Sequence, residues 1–243
     1  MSLANIRSKA PLVHCITNYV VANFTANGLL AIGASPVMAD ACDEVADMVR
    51  VSSALLLNIG TLNERTTESM LMAGKAANAH QIPVVLDPVG VGATPFRQKF
   101  VKELLTAVHI DLLRCNVGEL AAIAGVEWHA KGVDSGAGEM DIVAEAKKVA
   151  RKYDCAVIIT GATDIFIERD VVQFIPGGVV ETTAVTGTGC LLSAVCAATL
   201  GAGASLAEIL HDYKQAAERV GPKATGSFQV DFLDALHDIS EGL

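Results

Sequence analysis

The chain alternates short apolar runs with longer stretches of helical periodicity. Four apolar runs each stop at a polar residue or a glycine: Ala54–Ile59, Ile82–Leu86, Ile110–Leu113 and Ala156–Thr160. Continuous rather than alternating hydrophobicity is typical of strands that are buried on both faces. These runs therefore predict strands of a parallel sheet.

Helical patterns occupy the segments between the apolar runs. They cover Glu64–Ala79, Phe96–Val108, Glu119–Ala124 and Asp141–Tyr153. Alternation of strand and helix predicts right-handed βαβ units, with helices covering both faces of the sheet. The expected fold class is therefore α/β, with three layers and a mostly parallel central sheet.

The alternation of predicted strands and helices changes towards the carboxyl end of the chain. Two short apolar runs, Ile165–Glu168 and Val171–Ile175, are joined by Arg169-Asp170. This spacing predicts an antiparallel hairpin at the edge of the sheet. Beyond a Pro-Gly-Gly break, a long apolar helical region is expected to begin with Leu191–Leu200.

Nothing in the sequence marks a boundary between domains. We find no internal repeat and no Ser/Gly-rich linker, and Val133–Gly138 is expected to be a loop. A length of 243 residues is ordinary for one α/β domain. The sequence therefore predicts a single domain over residues 1–243.

Composition and charge narrow the class of partner. Hydrophobic residues make up 51% of the chain and charged residues 19%, whereas a typical soluble domain carries about 25% charged residues. So small a charged fraction favours an oligomer that buries apolar surface between subunits. The net charge is −9 and no basic run occurs, which argues against nucleic acid or an anionic membrane as a partner.

The sequence also indicates where the protein works. Its amino end lacks the apolar core of a signal peptide, and every apolar stretch is shorter than the ~18 residues of a membrane span. The six cysteines form no CxxC pair and show no zinc-ligand spacing. A disulfide framework is not expected in a chain of this length with so apolar a core. We therefore expect a reduced, cytoplasmic protein.

Polar residues and glycines follow three of the predicted strands. Asp87 to Gly92 follow the second run, Arg114 to Glu119 the third, and Thr160 to Asp164 the fourth. Ligands of open parallel sheets bind beyond the carboxyl ends of the strands. A helix cap or a turn would explain each segment by itself, but their shared position indicates a ligand site.

The sharpest motif is Thr186-Gly187-Thr188-Gly189-Cys190, directly before the apolar helical region. The glycines let consecutive N–H groups turn inward and the helix presents its positive end, so the motif predicts an anion hole suited to phosphate. A dinucleotide fingerprint fits less well because Leu192 replaces the third glycine. The chain contains no Gly-Lys-Ser/Thr of a P-loop. A glycine-rich turn before a packed helix is the alternative.

Cys190 lies where this helix is expected to start. A helix N-terminus favours the thiolate, so we expect a pKa of Cys190 that is lowered towards neutral and a role as a base. The alternative is a buried cysteine that acts as a small hydrophobic residue. We expect that role for Cys15, Cys42, Cys155 and Cys196.

Six stretches carry a resemblance to a known family: Val13–Asn18, Gly33–Met38, Val85–Gly90, Asn116-x-x-Glu119, Ile159–Gly161 and Gly187–Cys190. They resemble the hydroxyethylthiazole kinase family, which belongs to the ribokinase-like superfamily and acts in thiamine salvage. The resemblance extends from about Pro11 to Leu236. The first two stretches are specific to this family, and the others are shared more widely. Superfamily relatives usually carry Asp where this chain has Cys190.

The resemblance implies a three-layer α/β/α ribokinase-like fold and a defined reaction. The family phosphorylates the primary hydroxyl of 4-methyl-5-(2-hydroxyethyl)thiazole, with ATP as co-substrate and Mg²⁺ as cofactor. It also implies a homotrimer in which neighbouring subunits share each active site. Thiazole alcohol and ATP are thus the expected small-molecule ligands.

The resemblance further implies roles for individual residues. These are Gly187, Thr188 and Gly189 in the anion hole; Arg114 and Thr160 with ATP; Asn18, Met38 and Gly187 with the substrate; Asp87 and Glu119 with Mg²⁺, through waters; and Cys190 as the base. We expect the carboxylates of Asp87 and Glu119 to face a cleft, where they interact with the cation rather than with the core.

Two further interpretations stay open on the sequence. One is another vitamin-precursor kinase of the superfamily, acting on a hydroxymethylpyrimidine or pyridoxal. The other uses the same fold without phosphorylating an alcohol, either as a nucleotide-binding regulatory protein or as an ATP-dependent hydrate dehydratase. Turnover of ATP with the thiazole alcohol separates them.

Overall fold

An eight-stranded sheet forms the centre of the structure, a computed structural model that describes residues 2–127, 129–130, 136–137 and 140–243. The strands are β1 (Leu12–Ile16), β2 (Ser35–Val37), β3 (Ala54–Asn58), β4 (Val84–Asp87), β5 (Leu112–Asn116), β6 (His129–Ala130), β7 (Gly136–Ala137), β8 (Ala156–Thr160), β9 (Asp164–Glu168) and β10 (Val171–Ile175). The order in the large sheet is β10-β9-β8-β5-β4-β3-β1-β2, and β6 pairs with β7 separately. Six neighbouring strands of the large sheet are parallel: β8, β5, β4, β3, β1 and β2. Strand β9 runs antiparallel to β8, and β10 runs antiparallel to β9.

Helices cover both faces of this sheet. They are α1 (Ser2–Lys9), α2 (Ala22–Ala31), α3 (Val45–Arg50), α4 (Glu64–Ala79), α5 (Pro95–Ala107), α6 (Val117–Ala124), α7 (Ile142–Tyr153), α8 (Thr188–Gly201), α9 (Leu206–Val220) and α10 (Thr225–Glu241), with a 3₁₀ turn at Val180–Ala184. Helices α1, α2, α8, α9 and α10 share one hydrophobic core with the sheet, and α3 to α7 share the other. Within the described ranges, no helix has the length and apolar character needed to cross a membrane.

Helix α8 is the central helix of its layer. Every residue from 191 to 199 is buried, and the helix packs on β1, β3 and β4 as well as on α2 and α9. A helix that is apolar on all sides is buried on all sides. Its position is therefore fixed by contacts on every face, and so is the position of its first turn.

The sheet changes winding direction between β1 and β3. The chain leaves β1 for β2 on one side and then returns to form β3 on the other side of β1. Strands whose connections leave in opposite directions open a crevice at their carboxyl ends, where ligands of such sheets bind. Asn18 follows β1 and Asn58 ends β3, so both lie at this crevice.

Most of the predicted elements are confirmed. The four apolar runs form β3, β4, β5 and β8, and the predicted hairpin is β9–β10 at the sheet edge. The sequence did not predict β1 or β2, because β1 carries a histidine in its middle and β2 has three residues. Of the predicted loop Val133–Gly138, positions 133–135 and 138 lie outside the described residues, while 136–137 pair with 129–130. The single-domain organisation stays a prediction.

Candidate active site

Three buried side chains form a hydrogen-bonded chain at the crevice between β1 and β3. Asn18 Nδ2 donates to Asn58 Oδ1 over 2.9 Å, and Asn58 Nδ2 donates to Asp87 Oδ2 over 2.8 Å. The backbone N–H of Gly60 also donates to Asn58 Oδ1, at 2.9 Å. Because this oxygen accepts two hydrogen bonds, the orientation of the Asn58 amide is fixed. Its NH₂ group therefore faces Asp87.

The first turns of α8 join both ends of this chain. Asn18 Nδ2 lies 3.5 Å from Cys190 Sγ and donates to it. One turn later, Ser193 Oγ donates to Asp87 Oδ2 over 2.8 Å. The helix therefore places the Cys190 thiol and the Asp87 carboxylate in one continuous polar network inside an apolar core.

The start of α8 is built from a left-handed glycine and two distant hydrogen bonds. Gly187 has φ 98° and precedes the first helical residue, and a Cβ there would lie 2.7 Å from Val21 Cγ1. Thr188 Oγ1 donates to Thr182 O over 2.9 Å, and Tyr213 Oη donates to Thr188 O over 2.6 Å. An α-helix leaves its first N–H groups without intrahelical acceptors, so this fixed start is suited to bind an anion.

A buried guanidinium lies beside the same helix start. Arg114 Nη2 donates to Thr160 Oγ1 over 2.6 Å, and Nη1 lies 3.8 Å from Asp87 Oδ1. A Cβ at Gly189 would lie 2.8 Å from both terminal nitrogens of Arg114, so the lack of a side chain at this position lets the guanidinium lie directly against the helix start. Burial lowers the pKa of Arg114, but Asp87 and Glu119 raise it above its ordinary value, and the side chain stays charged.

Glu119 uses both carboxylate oxygens on backbone groups. Oε1 accepts from the Gly90 N–H and Oε2 from the Asn116 N–H, each at 2.9 Å. Asn116 Oδ1 in turn accepts from the Glu119 N–H at 2.8 Å, which completes a capping box at the start of α6. Glu119 therefore fixes the loop after β4, and would reach a cation through its remaining lone pairs or a water.

Two sequence-based expectations about this site are wrong. Asp87 is 0% exposed and Glu119 8% exposed, so both residues are buried instead of facing a cleft. Burial raises the pKa of Cys190 to about 11, and nearby Asp87 adds to the rise; the expected lowering towards neutral pH does not occur. The helix end favours a thiolate, but removal from water outweighs that effect.

The pKa of Asp87 moves in the same direction. Burial raises it from 3.8 to about 7, opposed by the Arg114 charge and reinforced by Glu119. Its Oδ1 atom is buried and lacks a hydrogen-bond partner within the described part of the chain. This carboxylate thus changes charge near neutral pH and has one oxygen left for a ligand.

The network brings together most of the residues singled out in the sequence. Asn18, Asp87, Arg114, Thr160 and the segment 187–190 all take part. Met38 lies one strand further out, directly after β2, and packs against the core that contains α8.

Sequence reasoning missed Asn58, Ser193 and Tyr213. Asn58 and Ser193 are polar residues inside apolar segments, which was the available signal. Nothing in the sequence distinguishes Tyr213, because its partner lies 25 residues away on another helix.

Comparison with known proteins shows the family and the fold of the chain. Residues 3–242 match the model of the hydroxyethylthiazole kinase family. The chain is 53% identical to a hydroxyethylthiazole kinase of Lysinibacillus sphaericus, covering 99% of this chain and 97% of that protein. A solved hydroxyethylthiazole kinase structure from Pyrococcus horikoshii has TM-score 0.86 and 38% identity, covering 99% and 93% of the two chains. A ribokinase-like superfamily protein of Enterococcus faecalis, 11% identical, shares the fold with TM-score 0.71 over 99% and 88%.

Proposed function

The chain belongs to the hydroxyethylthiazole kinase family, and we propose that its site catalyses the reaction of that family. It is an ATP-dependent kinase with a ribokinase-like fold. Its proposed reaction transfers the γ-phosphoryl group of ATP to the primary hydroxyl of 4-methyl-5-(2-hydroxyethyl)thiazole. The observation that carries this proposal is the network from Cys190 through Asn18 and Asn58 to Asp87, which ends beside a buried cation and a helix start.

The start of α8 is the proposed site of the transferring phosphoryl group. Gly187, Thr188 and Gly189 supply backbone N–H groups there, and the Arg114 guanidinium adds a positive charge next to Gly189. Phosphoryl transfer passes through a loose transition state, so positioning and charge neutralisation do most of the catalytic work. Thr160 orients Arg114, and we assign both to the ATP side.

The alcohol is proposed to bind on the β1 side of the crevice. Asn18 lies there next to Cys190, and Gly187 is within reach of the residues after β1. Met38 would supply a flexible apolar contact for a small aromatic ring. This arrangement puts the hydroxyl between the thiol of Cys190 and the phosphate-binding backbone.

Cys190 is the proposed acceptor of the hydroxyl proton. A neutral thiol has no capacity to take up this proton, so the reaction needs the thiolate, which is a minor species when the pKa is about 11. The proton leaves late in a loose transition state, after the new O–P bond has made the hydroxyl strongly acidic. A sparsely populated base is therefore sufficient for turnover but limits its rate.

Mg²⁺ is the proposed cofactor, and the residues present fit it. Asp87 offers a buried oxygen without a hydrogen-bond partner among the described residues, and Glu119 lies close enough to raise the pKa of Asp87. Mg²⁺ is commonly held by one or two carboxylates together with substrate phosphates. Bound there, Mg²⁺ would neutralise charge on the phosphate oxygens.

A substrate panel tests the proposed function. Purified protein is incubated with ATP and Mg²⁺, and ADP release is followed with the thiazole alcohol, a hydroxymethylpyrimidine or pyridoxal. We expect a kcat/KM at least about 10⁴-fold higher for the thiazole alcohol, because a site built to hydrogen-bond one substrate rejects poorly matched analogues by that order. Equal or greater turnover of pyridoxal or the pyrimidine contradicts the proposal.

We further propose a homotrimer in which neighbouring subunits complete each site. Tyr19 and Val20 are 80% and 62% exposed and directly follow Asn18, so a neighbouring subunit that covered them would also reach the site. Light scattering at micromolar concentration is expected to give three times the 25.3 kDa chain mass. A fully active monomer contradicts the trimer.

We also propose a reducing, cytoplasmic location. All six cysteines are free, which supports this proposal.

A further inference from the structure

Arg97 binds backbone carbonyls of two different loops at the carboxyl edge of the sheet. It lies in the first turn of α5. Nη1 donates to Ile59 O over 2.7 Å and to Val89 O over 2.6 Å, and Nη2 donates to Gly60 O over 2.7 Å. One guanidinium thus joins the loop after β3 to the loop after β4.

The loop after β3 controls the side chains at the crevice. The Gly60 N–H donates to Asn58 Oδ1, while a Cβ at Gly60 would lie 2.8 Å from both Cβ and Nδ2 of Asn18. Gly60 therefore contacts both asparagines, Asn58 through its N–H and Asn18 through its Cα. Because Arg97 holds the carbonyl of this same residue, it fixes the peptide against which Asn18 packs.

The loop after β4 is held from two directions. The carbonyl of Val89 accepts from Arg97, and the next N–H, of Gly90, donates to Glu119 Oε1 over 2.9 Å. That peptide is fixed on the ATP side by Glu119 without Arg97. Loss of the guanidinium therefore frees the loop after β3 more than the loop after β4.

We propose that Arg97 is a positioning residue for the acceptor alcohol, acting through Gly60 on Asn18. The inference rests on the proposed function, since it assigns Asn18 to the alcohol side. Arg97 makes its contacts with the loops and not with Arg114, Thr160 or the start of α8, which form the ATP side. Removal of the Arg97 guanidinium is expected to weaken binding of the alcohol and to leave binding of ATP unchanged.

The geometry requires arginine at this position. A planar guanidinium presents five donors in a fixed fork, whereas a lysine ammonium is a compact point charge. Three carbonyl groups in two loops are spaced for the fork. Arg97→Lys therefore keeps the charge and loses the bridge between the loops.

Steady-state kinetics of Arg97→Lys and Arg97→Met test this role. We expect kcat/KM for the thiazole alcohol to fall about 10²-fold, the order found when a reacting group is displaced by ~1 Å, chiefly through a higher KM for the alcohol. The KM for ATP should change less than about twofold. Arg50→Met is the matched control, because Arg50 is exposed and pairs with Asp47 on its own helix; it should leave every constant unchanged.

Gly60→Ala supplies an independent test if Arg97 variants do not fold. Its methyl group would press on the Asn18 side chain, so the same rise in the KM for the alcohol is expected with ATP unaffected. Gly226→Ala, whose Cβ meets open space, is its control. Equal loss for ATP and alcohol, or unchanged constants, overturns the inference. If wild type rejects the thiazole alcohol, the proposed function fails, and the same comparison is made with whichever alcohol of the panel it accepts.

Discussion

Asp87→Asn is expected to lower kcat by about 10²–10³-fold, the order seen when one preorganised electrostatic group is removed from a site, and at the same time to raise the melting temperature at pH 8. Activity falls because the charge that faces Arg114 and the proposed Mg²⁺ is lost. Stability rises because burial makes the charged form costly. The donors on Asn58 and Ser193 still have an amide oxygen to bind.

The way in which folding stability changes with pH follows from the raised pKa of Asp87. Its value of about 7 in the folded protein exceeds the ordinary 3.8, so this group stabilises the folded state fully below about pH 4 and progressively less as the pH rises through 7. Wild type should therefore lose more stability between pH 5 and 8 than Asp87→Asn does.

Two measurements check these expectations: thermal melting of wild type and variants at about pH 5 and pH 8, and kcat as a function of Mg²⁺ concentration. Asp170→Asn is the matched control, since Asp170 is exposed and pairs with Arg151. Glu119→Gln should also raise the Mg²⁺ needed for half-maximal rate, but should melt earlier because one of its two backbone N–H acceptors is lost. Wild-type Mg²⁺ dependence in both variants, or a less stable Asp87→Asn at pH 8, contradicts the assignment.

Cys190→Asp is expected to raise kcat at neutral pH by about tenfold. This is less than the ~10²–10⁴-fold that a positioned base can contribute, because the proton leaves late in a loose transition state. The thiol of Cys190 is almost entirely protonated there, since its pKa is about 11. A carboxylate starts from a pKa of about 3.9. An upward shift like that of Asp87, to about 7, would still leave about half of it ionised at pH 7.

The pH profile separates a base from a packing residue. The wild-type kcat should rise with pH up to about 11, the pKa of the thiol, whereas the Cys190→Asp rate should be flat above about pH 8. Cys190→Ser keeps the shape without a group that ionises in this range, so its kcat should fall and its ATP affinity should survive. If Cys190→Ser turns over as fast as wild type at every pH, Cys190 packs against Asn18 and accepts no proton.

Local patterns in the sequence were sufficient for the centre of the sheet. Strands β3, β4, β5 and β8 are runs of buried apolar residues, so hydrophobicity alone marks them. Strand β1 is equally buried, but His14 interrupts its run, and its position is fixed by pairing with β3 more than 35 residues later. Local propensity contains no information on such a pairing.

The sequence located the residues of the site, but it did not predict their burial or their pKa values. The motif at Gly187 to Cys190 correctly located a helix start, because glycine conformation and helix capping are local effects. The pKa of Cys190 and the burial of Asp87 depend on how deeply α8 is enclosed by elements from the whole chain. Helix-end electrostatics could be predicted from sequence, whereas the larger desolvation effect could not.

A crystal structure with a non-hydrolysable ATP analogue, Mg²⁺ and the thiazole alcohol tests the central claim most directly. We predict that the hydroxyl oxygen lies within hydrogen-bond distance of Cys190 Sγ. The terminal phosphate should lie on the backbone N–H groups at the start of α8, next to Arg114. The thiazole ring should lie on the Asn18 side of the crevice between β1 and β3. An alcohol bound away from Cys190, or a terminal phosphate that does not contact the first turn of α8, would contradict it.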